Sequence, residues 1–140
     1  MNRPCLRRSK GRKVVSPILI FAMVSILLAA VLYTVAVFSE RAAGVLKPWH
    51  LALFWAGFVF DTTGTTLMAE IAGGWRFDLH GVVGMAAIAL MLVHSIWASV
   101  ALGFRQERVL HSFHRFSIVV WVLWMFALVS GFAMVMLGLQ

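Results

Sequence analysis

The chain has 140 residues, of which 62% are hydrophobic and 12% are charged. Soluble domains are nearer half apolar, so a mean hydropathy of +0.94 excludes an ordinary soluble domain and indicates a membrane protein. The formal net charge of +7 does not indicate nucleic-acid binding, because six of the twelve Lys and Arg residues lie in the tail MNRPCLRRSKGRK and basic flanks of apolar helices set topology or contact anionic lipid.

The tail, residues 1–16, precedes a single domain predicted over residues 17–140. A basic start followed by an apolar run also resembles a secretory signal. The run is too long for a signal and lacks a small-x-small cleavage pattern, so we interpret it as a retained span. Cys5 is the only cysteine, and we therefore expect no intrachain disulfide and no thiolate metal site.

Four apolar stretches predict four membrane-spanning helices. About 20 apolar residues suffice to cross a bilayer as a helix. The predicted spans are residues 18–38, 49–69, 79–104 and 113–139. Short links make consecutive spans antiparallel neighbours, so the predicted fold is an all-α, integral-membrane four-helix bundle.

The second span carries a polar stripe down its length. At about 100° per residue, its members fall within about 40° of one another, and the stripe should face the bundle interior because polar groups are costly in lipid. Its glycines would admit a neighbouring helix or a flat cofactor, and helix packing is the favoured interpretation. The members are His50, Gly57, Asp61, Gly64 and Met68.

Asp61 lies about 18 Å along the second span, near mid-bilayer. An ionised, unpaired carboxylate is very unfavourable there, so Asp61 is expected to be protonated or paired. The surrounding DTTGTT offers hydroxyl donors. Asp61 is therefore either a structural hydrogen-bond node, with Thr62, Thr65 or a neighbouring helix, or a member of a proton relay.

The third span places His80 and His94 on one face. They are 14 residues apart, about 21 Å along the axis. Helices of membrane b-type cytochromes commonly place two histidines at this spacing. His94 lies mid-span with no charge nearby, and an ionisable side chain in that position is a functional-site hypothesis by default.

The fourth span opens with HSFHRF, which places His114 and Arg115 at the same membrane edge as His50. His111 lies one turn earlier and is expected to be more exposed. Divalent metal sites recruit several ligands close together, whereas these histidines are spread over three helices. Haem needs one or two axial histidines, an apolar slot and cationic partners for its propionates, so the pattern favours haem.

The predicted axial ligands of the haem iron are, in order, His94, His114, His50 and His80, with His114 or His50 opposite His94. Arg115 and Lys47 are the expected propionate partners. Depth is a difficulty, because His94 lies about 15 Å from the edge that His50 and His114 occupy. Either the fourth helix begins earlier and lowers His114, or His50 pairs with His114 and His94 has another role.

Three segments resemble the HsmA family of small four-span bacterial membrane proteins: KPWHLALFWAGFVFDTTGTTLM, FDLHGVVGMAAIALMLVHSIWA and FHRFSIVVWVLW. The resemblance covers roughly residues 20–135. It implies haem binding in the bacterial cytoplasmic (inner) membrane and tolerance of excess haem and oxidative stress, and it does not identify the axial ligands. The residues that coincide with the family's recurring polar positions are His50, Asp61, His80, His94 and His114.

The expected function is non-covalent binding of haem b, since the chain has no CxxCH motif, in a role of sequestration. One alternative is a b-type electron-transfer cytochrome or reductase subunit, served by a quinol or another external donor because the chain lacks a flavin or nicotinamide fingerprint. A second is a small proton-coupled transporter component. No catalytic residue is assigned, and a homo-oligomer is left open. The side of the membrane that holds the N-terminal tail would have seven basic residues against five on the other side, which favours both ends in the cytoplasm.

Overall fold

The computed structural model describes residues 16–75, 77, 79–104 and 107–137. It contains four helices, which confirms the predicted all-α class, and the described residues form no strand. The helices are α1 Pro17–Ala43, α2 Pro48–Ile71, α3 Leu79–Phe104 and α4 Glu107–Met136. The predicted tail up to residue 15 and the last residues of the fourth predicted span lie outside the described residues.

Local sequence signals set the ends of α1 and the start of α2. The hydroxyl of Ser16 accepts a hydrogen bond from the Leu19 N–H at 3.2 Å, and Pro17 follows at the first helical position. The serine hydroxyl satisfies one of the unpaired N–H groups of the helix start, and proline has no N–H to leave unpaired. Gly44 ends α1 with φ 63°, a left-handed conformation that glycine adopts without penalty. Pro48 then begins α2.

Two helix boundaries differ from the prediction by five residues or more. The first helix continues to Ala43 rather than ending at residue 38, and the fourth begins at Glu107 rather than at residue 113. Both extensions include charged residues and contain no proline or glycine, so the helical hydrogen bonding continues after the apolar stretch ends. The extension of α1 brings Glu40 into the helix, and that of α4 places His114 two turns inside the helix.

The four helices close into a bundle, in which consecutive helices contact one another and α1 also contacts α4. Helices α1 and α2 pack most closely. A Cβ added at Gly57 would lie 2.6 Å from Tyr33 Cε1, and one added at Gly64 would lie 2.9 Å from the Ala22 carbonyl oxygen. The two glycines are therefore helix-packing contacts, as the favoured interpretation held.

Three of the four helices are long and apolar enough to cross a membrane: Pro17–Ala43, Leu79–Phe104 and the segment Phe113–Met134 of α4. The second helix falls outside this group because Asp61 and its threonines lower its hydropathy. Large apolar side chains cover the outside of the bundle, with Phe126 71% exposed. Such a continuous apolar exterior is typical of a surface that contacts lipid.

Candidate functional site

The bundle interior contains polar groups, and these locate the candidate sites. Buried polar groups are normally hydrogen-bonded. In the described part of the chain, however, several buried side-chain nitrogen and oxygen atoms have no hydrogen-bond partner. The buried polar side chains are Ser25, Glu40, His50, Asp61, His94, Ser95 and Ser117.

His94 lies inside a cage of aromatic rings. Its residue is 1% exposed, and its ring centroid lies 4.6 Å from that of Phe54, 5.3 Å from Phe113 and 5.9 Å from Phe116, which is stacked at 13°. Both ring nitrogens lack a hydrogen-bond partner. His94 therefore presents two unsatisfied nitrogen atoms in an apolar pocket formed by α2, α3 and α4.

His50 is fully buried, and its side chain caps the start of α2. Its Nδ1 accepts a hydrogen bond from the backbone N–H of Lys47 at 3.0 Å, and its Nε2 is buried without a partner. A neutral ring that accepts at Nδ1 carries its hydrogen on Nε2. In this tautomer His50 cannot ligate a metal through Nε2 while it caps the helix, and the contact favours a structural role.

His114 forms an ion-pair contact with Glu40, joining α4 to α1. The distance from His114 Nδ1 to Glu40 Oε1 is 2.5 Å; the Glu40 side chain is 0% exposed and that of His114 is 23% exposed. A buried carboxylate needs such a partner, since an isolated one is very costly. The contact orients His114 toward α1, whereas α2 and α4 supply the rings around His94.

Asp61 is bound by the opposite helix rather than by its neighbours in sequence. Its Oδ2 accepts a hydrogen bond from Trp124 Nε1 at 2.9 Å, and Asp61 is 3% exposed. The hydroxyls of Thr62 and Thr63 instead donate to backbone carbonyls of their own helix. Trp124 also packs edge-on against Tyr33, with ring centroids 5.1 Å apart. Asp61 is thus a node that joins α2, α4 and α1.

His80 lies at the opposite edge of the bundle from His50, and His94 lies between the two edges. His80 is exposed, and a Cβ added at Gly131 of α4 would lie 2.6 Å from its Cε1 atom. Its position confirms the expected separation from His94 along α3. In this structure His80 packs over a glycine at the bundle edge, outside the buried interior.

The structure does not bring the predicted ligands into one cluster. Among the described residues, no group of three or more His, Cys, Asp or Glu side chains is placed to hold a metal ion. No other histidine ring is among those that pack against His94 in the described residues. Of the two alternatives for the different depths of His94 and His114, the structure agrees with an earlier start of the fourth helix, which begins at Glu107. Phe113, the neighbour of His114, packs against the His94 ring.

The two expected propionate partners are exposed cations. Lys47 is exposed at the start of α2, and Arg115 is exposed on α4 beside His114. Lys47 lies where α2 begins, whereas Arg115 lies about two turns from the start of α4. Lys47 contributes its backbone N–H to the His50 cap, which leaves its ammonium group free of that contact.

The sequence interpretation did not identify Glu40, and it allowed a partner for Asp61 on a neighbouring helix without identifying Trp124. Glu40 and Tyr33 are both fully buried, seven residues apart on α1, a spacing that places them on one helix face. The shared face is the one sequence feature that points to burial of Glu40. It is not decisive, because Glu40 stands next to Arg41 and the two resemble ordinary charged residues at a membrane edge.

A scan of family models, a search of curated proteins and a search of solved structures each return no match for this chain.

Proposed function

We propose that the chain is a membrane protein that binds haem b non-covalently, with His94 as an axial ligand of the iron. The observation that carries the proposal is the His94 ring, which is buried in an aromatic cage with no hydrogen-bond partner on either nitrogen. Burying a polar group without a partner costs about 1–3 kcal/mol. A bound ligand that accepts coordination from His94 would offset that cost.

Haem suits this donor better than a lone divalent ion does. Zinc and similar ions require three or four protein ligands, and the described residues provide no such cluster. Haem carries four nitrogen ligands of its own and needs only one or two from the protein. When bound, it would supply a redox-active iron, and the chain's role would be to hold that iron in an apolar interior, away from oxidants in solution.

The fit of haem rests on donor chemistry and on the aromatic wall, not on a ready-made slot. The rings of Phe54, Phe113 and Phe116 lie directly against His94. A porphyrin bound to His94 would take the place of at least one of these rings. Lys47 and Arg115 are the proposed partners of the propionates.

We also propose that all four helices span the bacterial cytoplasmic membrane, with both ends in the cytoplasm. The second helix has 24 residues, which is long enough to cross, and its polar members Asp61 and His50 are buried inside the bundle. Four antiparallel spans return the chain to the side on which it starts. The resemblance to the HsmA family supports the membrane assigned.

The test is haem titration of the purified chain in detergent, followed by absorption spectroscopy of the oxidised and reduced forms. We expect the native protein to give a Soret band and His94→Ala to lose at least about tenfold in haem affinity, because the variant lacks the axial ligand. The matched control is His80→Ala, which removes an exposed imidazole of the same helix and should leave the band unchanged.

Two results would contradict the proposal: a native protein without a Soret band, or a band that His94→Ala leaves intact. Helical circular dichroism and gel filtration of each variant separate a lost ligand from a lost fold. A His114→Ala variant measured alongside them reports whether the ring paired with Glu40 also contributes to the spectrum.

A further inference from the structure

A second set of buried polar groups lies between α1, α2 and α4, apart from the His94 cage. Tyr33 Oη, Glu40 Oε2 and Ser117 Oγ are buried without a hydrogen-bond partner. The other Glu40 oxygen, Oε1, lies against His114 Nδ1. Because unsatisfied polar atoms inside a protein are normally satisfied by internal water, this part of the interior is suited to a chain of water molecules.

These groups are spaced along two facing helices. On α1, Glu40 and Tyr33 are seven residues apart, and on α4 Ser117 and Trp124 are also seven apart. Seven residues make about two turns, or about 10 Å, so each pair lies on one face of its helix. His114 lies about one turn before Ser117, on the side of the bundle from which α4 enters.

Cross-helix contacts fix the register of α1 against α4. The two helices run antiparallel, so a step from Glu40 toward Tyr33 matches a step from His114 toward Trp124. This register places Ser117 at a depth between Glu40 and Tyr33. The contacts that define it are Glu40–His114 at 2.5 Å, Phe38–Trp121 ring centroids at 5.3 Å, Trp121 Nε1–Thr34 Oγ1 at 3.1 Å and Tyr33–Trp124 ring centroids at 5.1 Å.

The set ends at Asp61. The Tyr33 ring lies over Gly57, one turn before Asp61 on α2, and Trp124 contacts both Tyr33 and Asp61. A helical side chain tilts toward the N-terminus of its helix, which directs the Tyr33 hydroxyl away from Glu40 and toward the bundle centre. Tyr33 is therefore placed between the edge pair and the central carboxylate.

Beyond Asp61 the interior is closed. At Gly64, one turn further along α2, an added Cβ would lie 2.5 Å from Ile26 Cγ1 and 2.9 Å from the Ala22 carbonyl oxygen. Ser25 on the facing helix donates to the Phe21 carbonyl at 2.9 Å. In the described ranges, no unpartnered buried polar atom lies between Asp61 and the edge at which α1 begins.

We propose that Glu40, His114, Ser117 and Tyr33 form a proton inlet from one membrane edge to Asp61. Protons enter at the Glu40–His114 pair, pass along hydroxyl groups and internal waters, and convert the Asp61 carboxylate into a carboxylic acid. Each transfer moves one proton between oxygen or nitrogen atoms and changes no oxidation state. The inlet opens to one side only. It does not depend on haem, since His94 and its aromatic cage are not members.

Among the described residues, different groups surround the two ends of the inlet, Glu40 and Asp61. Glu40 faces His114 of α4 and is followed on its own helix by Arg41, which is exposed. Asp61 faces Trp124 of α4 and Tyr33 of α1. Neither of these two partners of Asp61 is basic, so the carboxylate can be neutralised inside the bundle only by a proton.

The test is infrared spectroscopy of the full-length, haem-free protein in lipid vesicles, transferred rapidly from H₂O to D₂O. A difference spectrum against Asp61→Asn identifies the carboxylic C=O stretch of Asp61, which shifts when its hydrogen is exchanged for deuterium. We expect the shift to be complete within the mixing time in the native protein. Ser117→Val and Glu40→Gln should each slow it at least about tenfold, because they remove a hydroxyl and an ionisable group from the path.

Ser130→Val is the matched control, since Ser130 is on the same helix but donates to the Ala127 carbonyl outside the path; its exchange should match the native rate. Equal rates in the native, Ser117→Val and Glu40→Gln proteins would overturn the inlet. So would the absence of an Asp61 C=O band down to the lowest pH at which the helical dichroism is unchanged. If Glu40→Gln fails to fold, the exchange rate of Ser117→Val compared with that of Ser130→Val still decides whether the inlet exists.

Discussion

Replacing Gly64 by alanine should force α1 and α2 apart. A Cβ at this position would lie 2.5 Å from Ile26 Cγ1, 2.9 Å from the Ala22 carbonyl oxygen and 3.1 Å from the Ile26 backbone nitrogen. Two of these three atoms belong to the backbone, so a side-chain rotation cannot relieve the overlap. Non-bonded carbon atoms pack at about 3.5–4.0 Å, and α1 must therefore move by about 0.5–1 Å.

The cost of this movement follows from packing energies. Adding a methyl group to a closely packed interior costs about 1–3 kcal/mol. Alanine regains about 0.5–1 kcal/mol through its greater helix propensity. Gly64→Ala should therefore lower the free energy of unfolding by up to about 2.5 kcal/mol, although alanine is the better residue for a helix.

Gly84→Ala provides the matched control. Gly84 is also a helical glycine, on α3, but nothing lies within 4 Å of its added Cβ. This variant should gain about 0.5–1 kcal/mol from propensity alone. Both free energies are measured by reversible unfolding with sodium dodecyl sulfate in mixed micelles, followed by circular dichroism. A Gly64→Ala protein as stable as the Gly84→Ala protein would refute the close α1–α2 contact on which the reasoning depends.

The same unfolding titration checks two further predictions. Trp124→Phe removes the donor to buried Asp61 and should cost about 1–3 kcal/mol, because a buried acceptor loses its partner. Trp121→Phe, whose partner is a threonine that keeps its bond to its own helix, should cost less, and an equal loss would contradict the assigned role of Asp61. Gly131→Ala should change stability by under about 1 kcal/mol, since the overlapping His80 ring is exposed and free to turn; a larger loss would mean that the ring is fixed.

The number and order of the helices could be predicted because each long apolar stretch of the sequence forms a helix. The bounds of α3 were predicted correctly as residues 79–104. The end of α1 and the start of α4 were not, because hydropathy reports which residues tolerate lipid, whereas a helix continues as long as its backbone hydrogen bonds do. Polar residues at a membrane edge can continue the backbone hydrogen bonds of a helix although they do not tolerate lipid.

The candidate site was only partly predictable. The burial of His94 and Asp61 followed from their positions inside apolar stretches. The partner of Asp61 did not, since a threonine in a helix can donate to a backbone carbonyl of its own preceding turn, and Thr62 does so. That left the carboxylate to Trp124, from a helix distant in sequence. Glu40 depended in the same way on a contact with His114 that only the packing of α1 against α4 creates.

The interior of the bundle therefore contains two polar regions with separate surroundings. Phenylalanine rings from α2 and α4 enclose His94, whereas Asp61 is held by Trp124 and adjoins Tyr33 of α1. Because they share no side chain, one substitution should affect one region only. His94→Ala should leave the deuterium shift of Asp61 unchanged, and Asp61→Asn should leave the Soret band unchanged. If either substitution altered both signals, the two regions would have to be energetically coupled through α2 and α4.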